Sequence, residues 1–177
     1  MKNLIVMAVA CMSTLSACTV DYAQSASELT ARVGSTSYFK SNNYQVSRSA
    51  AAVSQSLRAG ANKCLNQRTT GQIYGGSHMG APILHNTVTD YTTTVRNNGR
   101  GGIEMAVRMT SRGFRISMDE PEGGEIIFTA NVTPSGGGAR VVDAWMDQNL
   151  FTPSDPIADG VRAWAEGTSS ACPEMPR

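Results

Sequence analysis

Apolar side chains from Ile103 onward recur at every second position. Ile103, Met105, Val107 and Met109 alternate with Glu104 and Arg108; Ile126, Phe128, Ala130 and Val132 follow, then Val142, Ala144 and Met146. A period of two sends successive side chains to opposite faces of a strand, so the pattern calls for a sheet with one apolar and one wet face. Residues 88–96, threonine-rich with Tyr91, precede these runs, and Phe114, Ile116 and Met118 supply another short one. The breaks between them are turn formers: Asn98-Gly99, Ser111-Arg112-Gly113, residues 121–124 and residues 134–138. Locally joined strands of this kind predict a five-stranded antiparallel meander.

Upstream the period is helical. Ser49 offers an N-cap to residues 50–65, where Val53, Leu57, Ala61 and Cys64 fall on one side, Lys63 suits the negative end and Asn66 stops the run. Gly60 lowers the propensity of this helix by about 1 kcal/mol. Residues 44–48 alternate like a short strand, whereas residues 67–86, punctuated by Gly71, Gly75, Gly76, Gly80 and Pro82, read as a loop. Near the other end Asp155 and Pro156 open a helix whose stripe is Ile157, Val161 and Trp164, and Gly167 closes it. A sheet with one apolar face needs one cover. The expected fold is therefore α+β, a two-layer sandwich with both helices packed on one face of the meander.

The chain has 177 residues, 41% of them hydrophobic and 16% charged, with a formal charge of +1. That length fits one domain, and so balanced a charge excludes electrostatic capture of nucleic acid. Met1-Lys2-Asn3 carries one cation, and the apolar residues 4–15 have the length of an export-signal core but fall short of a membrane span. The run ends in Leu15-Ser16-Ala17-Cys18, which resembles the lipobox of bacterial lipoproteins: an aliphatic residue, two small residues and a cysteine. The resemblance covers the signal region and names no family for the domain beyond it. It implies cleavage before Cys18, a diacylglycerol on the Cys18 thiol and acylation, with palmitate-type chains, of the new amino group. At about 0.8 kcal/mol per buried methylene, two or three chains hold where one does not. Thr19, in place of an aspartate, implies transfer to the outer membrane of a Gram-negative cell, with the domain facing the periplasm.

Three segments follow: a signal peptide over 1–17, a flexible tether over 18–37 of small polar residues with scattered Leu29 and Val33, and a single α+β periplasmic domain over 38–177. Cys11 leaves with the signal and Cys18 is used by lipid. Cys64 and Cys172 remain, and an oxidising compartment makes a disulfide between them the natural expectation. Closing that 108-residue loop contributes at most about 4 to 5 kcal/mol in the chain-entropy picture.

Groups able to carry chemistry are few. His78, His85 and Asp90 are spaced by seven and five residues, which matches no ligand face, so solvated loop histidines are the favoured reading. Met105, Met109 and Met118 sit at inward positions and read as core rather than copper ligands. Ser135-Gly136-Gly137-Gly138 lacks the lysine of a phosphate loop, and Asp119, Glu120, Glu122 and Glu125 read as a solvated acidic turn. Arg96, Arg108 and Arg115 read as ordinary outward-facing charge. No catalytic residue, cofactor or metal is expected. The expected function is that of a non-catalytic, lipid-anchored envelope protein with a structural or accessory role, its partners the membrane and an envelope protein. The alternative is a small envelope enzyme or ligand carrier using a cavity near His78 and His85.

Overall fold

The computed structural model describes residues 22–78, 81–113, 121, 123–148, 152–153 and 155–175, the side chains of residues 73–78, 81–85, 113, 148 and 152–153 excepted. The signal segment with Cys18, the run Phe114, Ile116, Met118, the acidic residues Asp119, Glu120 and Glu122, and Arg115 lie outside the described residues. The elements in chain order are α1 (Ala26–Arg32), β1 (Phe39–Val46), α2 (Ala50–Cys64), β2 (Gln67–His78), β3 (Ala81–Asn97), β4 (Ile103–Gly113), β5 (Glu125–Ser135), β6 (Gly138–Gln148), β7 (Thr152–Pro153) and α3 (Asp155–Glu166).

The fold is α+β, but its open antiparallel sheet has six long strands rather than five, ordered β1-β6-β5-β4-β3-β2, with the two-residue β7 beside the end of β6. Strands β2 to β6 do follow one another as hairpin partners; their membership differs from expectation. Residues 67–86, read as a loop, form β2 and the start of β3, paired from Gln67↔Tyr91 to His78↔Ala81. Glycines dilute the side-chain pattern without removing the backbone groups that make a ladder, so a glycine-rich strand is nearly silent in sequence. Residues 111–113 do not turn either: β4 continues through them to pair Gly113 with Thr87. Strand β1 lies outside the meander and docks on β6, from Phe39↔Met146 to Val46↔Ala139. Helix α2 then carries the chain across the sheet to β2 at the far edge.

Register sorts the two faces. Tyr44, Val46, Tyr91, Met105, Val107, Phe128, Ala130, Val141, Asp143 and Trp145 share one face. Helix α2 covers it, its Arg58 donating to the Val95 carbonyl and to Asn97 Oδ1 at 2.7 Å. Helix α3 covers it beside β6, its Asp155 accepting from Trp145 Nε1 at 2.6 Å. Ser49 caps α2 by accepting from the Ala52 N–H, and Leu57, Val53 and Ala61 are fully buried. Helix α3 closes with the Thr168 N–H on the Ala163 carbonyl and the Gly167 N–H on Trp164, the double bond of a Schellman end. The two helices meet where Gly60 faces the Trp164 ring. Beyond α3 the chain folds back, Trp164 Nε1 donating to the Ala171 carbonyl, and the Cys64–Cys172 disulfide closes it onto α2 with 5.2 Å between Cα atoms.

The opposite face is not wet at this end of the sheet. Ala106, Thr129, Ala144 and Met146 are buried on it. Their cover includes residues 22–32, part of the segment read as a tether. Ser25 accepts from the Glu28 N–H, Glu28 accepts from the Gln24 N–H, and Leu29 is 0% exposed. That reciprocal cap starts α1, and Arg32 lies over the Phe39 ring at 5.9 Å to anchor its far end. From Tyr22 the segment is thus a docked part of the fold and not a free linker. Burial of a single leucine tips the balance, because it adds roughly 2 kcal/mol to a helix too short to stand alone.

Candidate functional site

Strand pairing fixes where the sparse catalytic candidates lie. His85 stands opposite Ile73, His78 opposite Ala81 and Asp90 opposite Arg68. His85 and Asp90 are five residues apart on β3, roughly 16 Å along the strand. Asp90 is otherwise engaged: Arg68 Nε approaches Oδ1 at 2.6 Å and Arg112 Nε approaches Oδ2 at 3.1 Å. The Arg68 hydrogen bond, aided by both guanidinium charges, holds the Asp90 carboxyl below the usual carboxylate range. Asp90 therefore ties β2, β3 and β4 together instead of orienting an imidazole. Among the described residues no three His, Cys, Asp or Glu side chains gather as a metal site.

The remaining sequence candidates have structural employment. Met105 and Met109 are core residues. Arg96 pairs with Glu104. Arg108 donates to the carbonyls of Gln24 at 2.8 Å and Gly124 at 3.0 Å, pinning the chain's first described residues to the start of β5. Glu125 is buried at 2% exposure, on the sheet rather than in a solvated turn. Gly136 and Gly137 form the tight β5–β6 turn, both at positive φ as a two-residue hairpin requires.

What sequence reasoning missed is a buried acid. Asp143 of β6 is 0% exposed on the α2–α3 face, with the Tyr44 hydroxyl and the Arg162 guanidinium as its polar neighbours. Burial pushes this carboxyl up to about 7, against the opposing pull of the Tyr44 hydroxyl and the Arg162 charge. Burial, then the Asp143 charge, raises the Tyr44 phenol in turn. Arg162 of α3 stacks over the Tyr44 ring at 4.9 Å and pairs with Glu166 at 3.0 Å. The group can exchange a proton near neutrality, but a helix seals it from substrate. Alternation hid it: Val142, Ala144 and Met146 make 143 read as a wet-face position, whereas both faces of β6 are covered.

Among the described residues two surface depressions stand out. One, of about 450 Å³, lies at the β3–β4 turn between Arg96, Arg100, Glu104 and Asn131. The other, of about 520 Å³, runs between α2 and the chain after α3, where Arg48 and Lys63 already donate to the carbonyls of Trp164 and Ser170.

The lipidation candidate, Cys18, lies outside the described residues, but the chain just after it is held firmly. Ala23 is buried, its carbonyl accepting from the Ile126 N–H at 2.7 Å, and the Tyr22 carbonyl accepts from Arg32. Among the described residues no helix is long and apolar enough to cross a membrane. No family model matches this chain, and no curated protein does. A solved structure, "Crystal structure of Ara h 8.0201", is similar at 11% identity over 73% of this chain and 95% of that one, with a TM-score of 0.39, too loose a likeness to transfer anything.

Proposed function

We propose that this chain is a lipid-anchored protein of the bacterial cell envelope, acting through its surface as a structural or accessory partner and without catalysis. The observation that carries the reading is Leu15-Ser16-Ala17-Cys18 placed directly after an apolar signal core. The bonding of Cys64 to Cys172 supports it in two ways. A disulfide suits an extracytoplasmic compartment, and it leaves Cys18 as the thiol of the processed chain available for lipid. Thr19 directs the anchor to the outer membrane, with the domain in the periplasm.

The test is chemical. Cells expressing the full chain with labelled palmitate should yield a labelled protein that sediments with outer membranes, and Cys18→Ser should abolish both label and sedimentation. An unlabelled wild-type chain, or an uncleaved amino terminus in the cytosol, would overturn the anchor. Gentle detergent extraction of envelopes that recovers no stoichiometric protein partner would overturn the accessory role.

A further inference from the structure

The depression of about 450 Å³ at the β3–β4 turn is walled by Arg96, Asn97, Asn98, Arg100, Glu104 and Asn131, with no apolar or aromatic side chain among them. Register places Arg96, Glu104 and Asn131 in one row across β3, β4 and β5, on the face of the sheet opposite α2 and α3. Asn98 closes the end of that row. Its Oδ1 accepts from the N–H groups of Arg100 and Gly102, which fixes the turn that carries Arg100.

Hydrogen bonding within this group occupies acceptors and leaves donors. A guanidinium only donates, so the 2.7 Å bond from Arg58 Nη2 sets Asn97 with its Oδ1 engaged and its Nδ2 unpartnered. Asn98 Nδ2 donates to the Val132 carbonyl at 2.7 Å and to Asn131 Oδ1 at 3.0 Å, which leaves Nδ2 as the free end of the Asn131 amide. Among the described residues the Arg100 guanidinium has no side-chain partner either. Glu104 is the one carboxylate in the wall, and Arg96 holds its Oε1 through both Nε and Nη2. Two guanidinium groups therefore stand against one carboxylate, with Arg58 as a third behind Asn97.

A small-molecule pocket is mostly apolar with a few placed polar groups, and this wall is the reverse. A free guanidinium takes a carboxylate through two parallel bonds, and amide N–H groups match peptide carbonyls. An extended acidic segment supplies both, whereas a sugar ring finds no apolar platform here. We propose that this depression binds an acidic peptide segment of a partner protein, Arg100 taking a carboxylate and the Asn97 and Asn131 amides donating to carbonyls. The inference names the partner chemistry of the accessory role proposed above and rests on that role for a partner in the cell.

The test titrates the detergent-solubilised full chain into a fluorescein-labelled peptide of alternating glutamate and glycine, read by anisotropy at low salt, with a glutamine–glycine peptide as the neutral probe. The acidic peptide should bind and the neutral one should not. Arg100→Ala should weaken binding about tenfold. Arg112→Ala, the same loss of charge roughly 25 Å further along β4, should leave it unchanged. Asn97→Asp keeps an oxygen for Arg58 but replaces the free donor with a carboxylate oxygen, and should abolish binding with the thermal melt intact. Equal weakening by Arg100→Ala and Arg112→Ala would reduce the effect to net charge and overturn the proposal. So would displacement by inorganic phosphate as readily as by unlabelled peptide, or tighter binding of polygalacturonate, an acidic glycan. No binding of the acidic peptide overturns this inference and leaves the accessory role standing, whereas binding by a chain that recovers no envelope partner overturns the role and supports the site.

Discussion

The Trp164 ring lies against the α2 backbone at Gly60 so closely that a Cβ built there would stand 2.5 Å from two ring carbons. The ring has little room to retreat, because its Nε1 donates to the Ala171 carbonyl at 2.9 Å. A residue that weakens α2 as an isolated helix is thus what lets α2 and α3 meet. Gly60→Ala gains about 1 kcal/mol of helix propensity and loses about 1 to 3 kcal/mol to overpacking. Urea unfolding should show a net loss of about 1 kcal/mol; a more stable variant would mean the ring moves freely.

Asn98 satisfies the β3–β4 connection almost alone. Its Nδ2 donates to Asn131 Oδ1 at 3.0 Å and the Val132 carbonyl at 2.7 Å, while its Oδ1 accepts from the N–H groups of Arg100 and Gly102. Asn98→Ala leaves several of these groups unpaired and should cost about 2 kcal/mol in denaturant melts, whereas Asn98→Asp should retain the accepting half. Equal losses for the two variants would show that the accepting bonds contribute nothing.

Asp143 makes stability fall as pH rises. Its folded carboxyl titrates at about 7, above the roughly 3.9 of an unfolded aspartate. Stability from this group is therefore fully present below about pH 4 and is lost as pH climbs to about 7, on the order of 4 kcal/mol in all. Asp143→Asn removes the titration and should flatten that slope, so that the variant gains on the parent between pH 5 and 8 in thermal scans. Parallel curves for the two proteins would place the proton elsewhere.

Much of the helical layer was legible in the sequence, because its signals are local: Ser49 and the Val53, Leu57, Ala61, Cys64 stripe for α2, and the Ile157, Val161, Trp164 stripe with Gly167 for α3. The sheet was legible where one face is apolar and the other polar, as in β4. It failed in β2, whose glycines erase periodicity, and in β6, where Asp143 and Trp145 on one side and Ala144 and Met146 on the other are all buried. A residue's face is set by what packs on it, and the second cover could not be anticipated while residues 18–37 were read as linker. The signal for that cover was present: Ser25 followed by Glu28, a capping box, with Leu29 behind it.

Reducing the Cys64–Cys172 bond frees the chain after α3 from the end of α2. Loop closure over 108 residues sets an upper limit of about 4 to 5 kcal/mol. The paired Cys64→Ala, Cys172→Ala variant should lose about 2 to 4 kcal/mol while retaining the sheet's circular dichroism. A loss of the sheet signal together with the bond would show that the disulfide is required for folding itself.

Leu29 decides whether residues 22–33 are linker or fold. Fully buried beneath a seven-residue helix, it is the side chain by which α1 covers the second face of β5 and β6. Leu29→Ala should cost about 2 to 5 kcal/mol, and because α1 cannot persist unaided the loss should appear as local release before global unfolding. Amide exchange would then show residues 22–33 and the N–H of Ile126, which bonds to the Ala23 carbonyl, losing protection while α2 and α3 keep theirs. If instead those amides exchange as fast in the parent as in the variant, residues 22–33 are a tether after all.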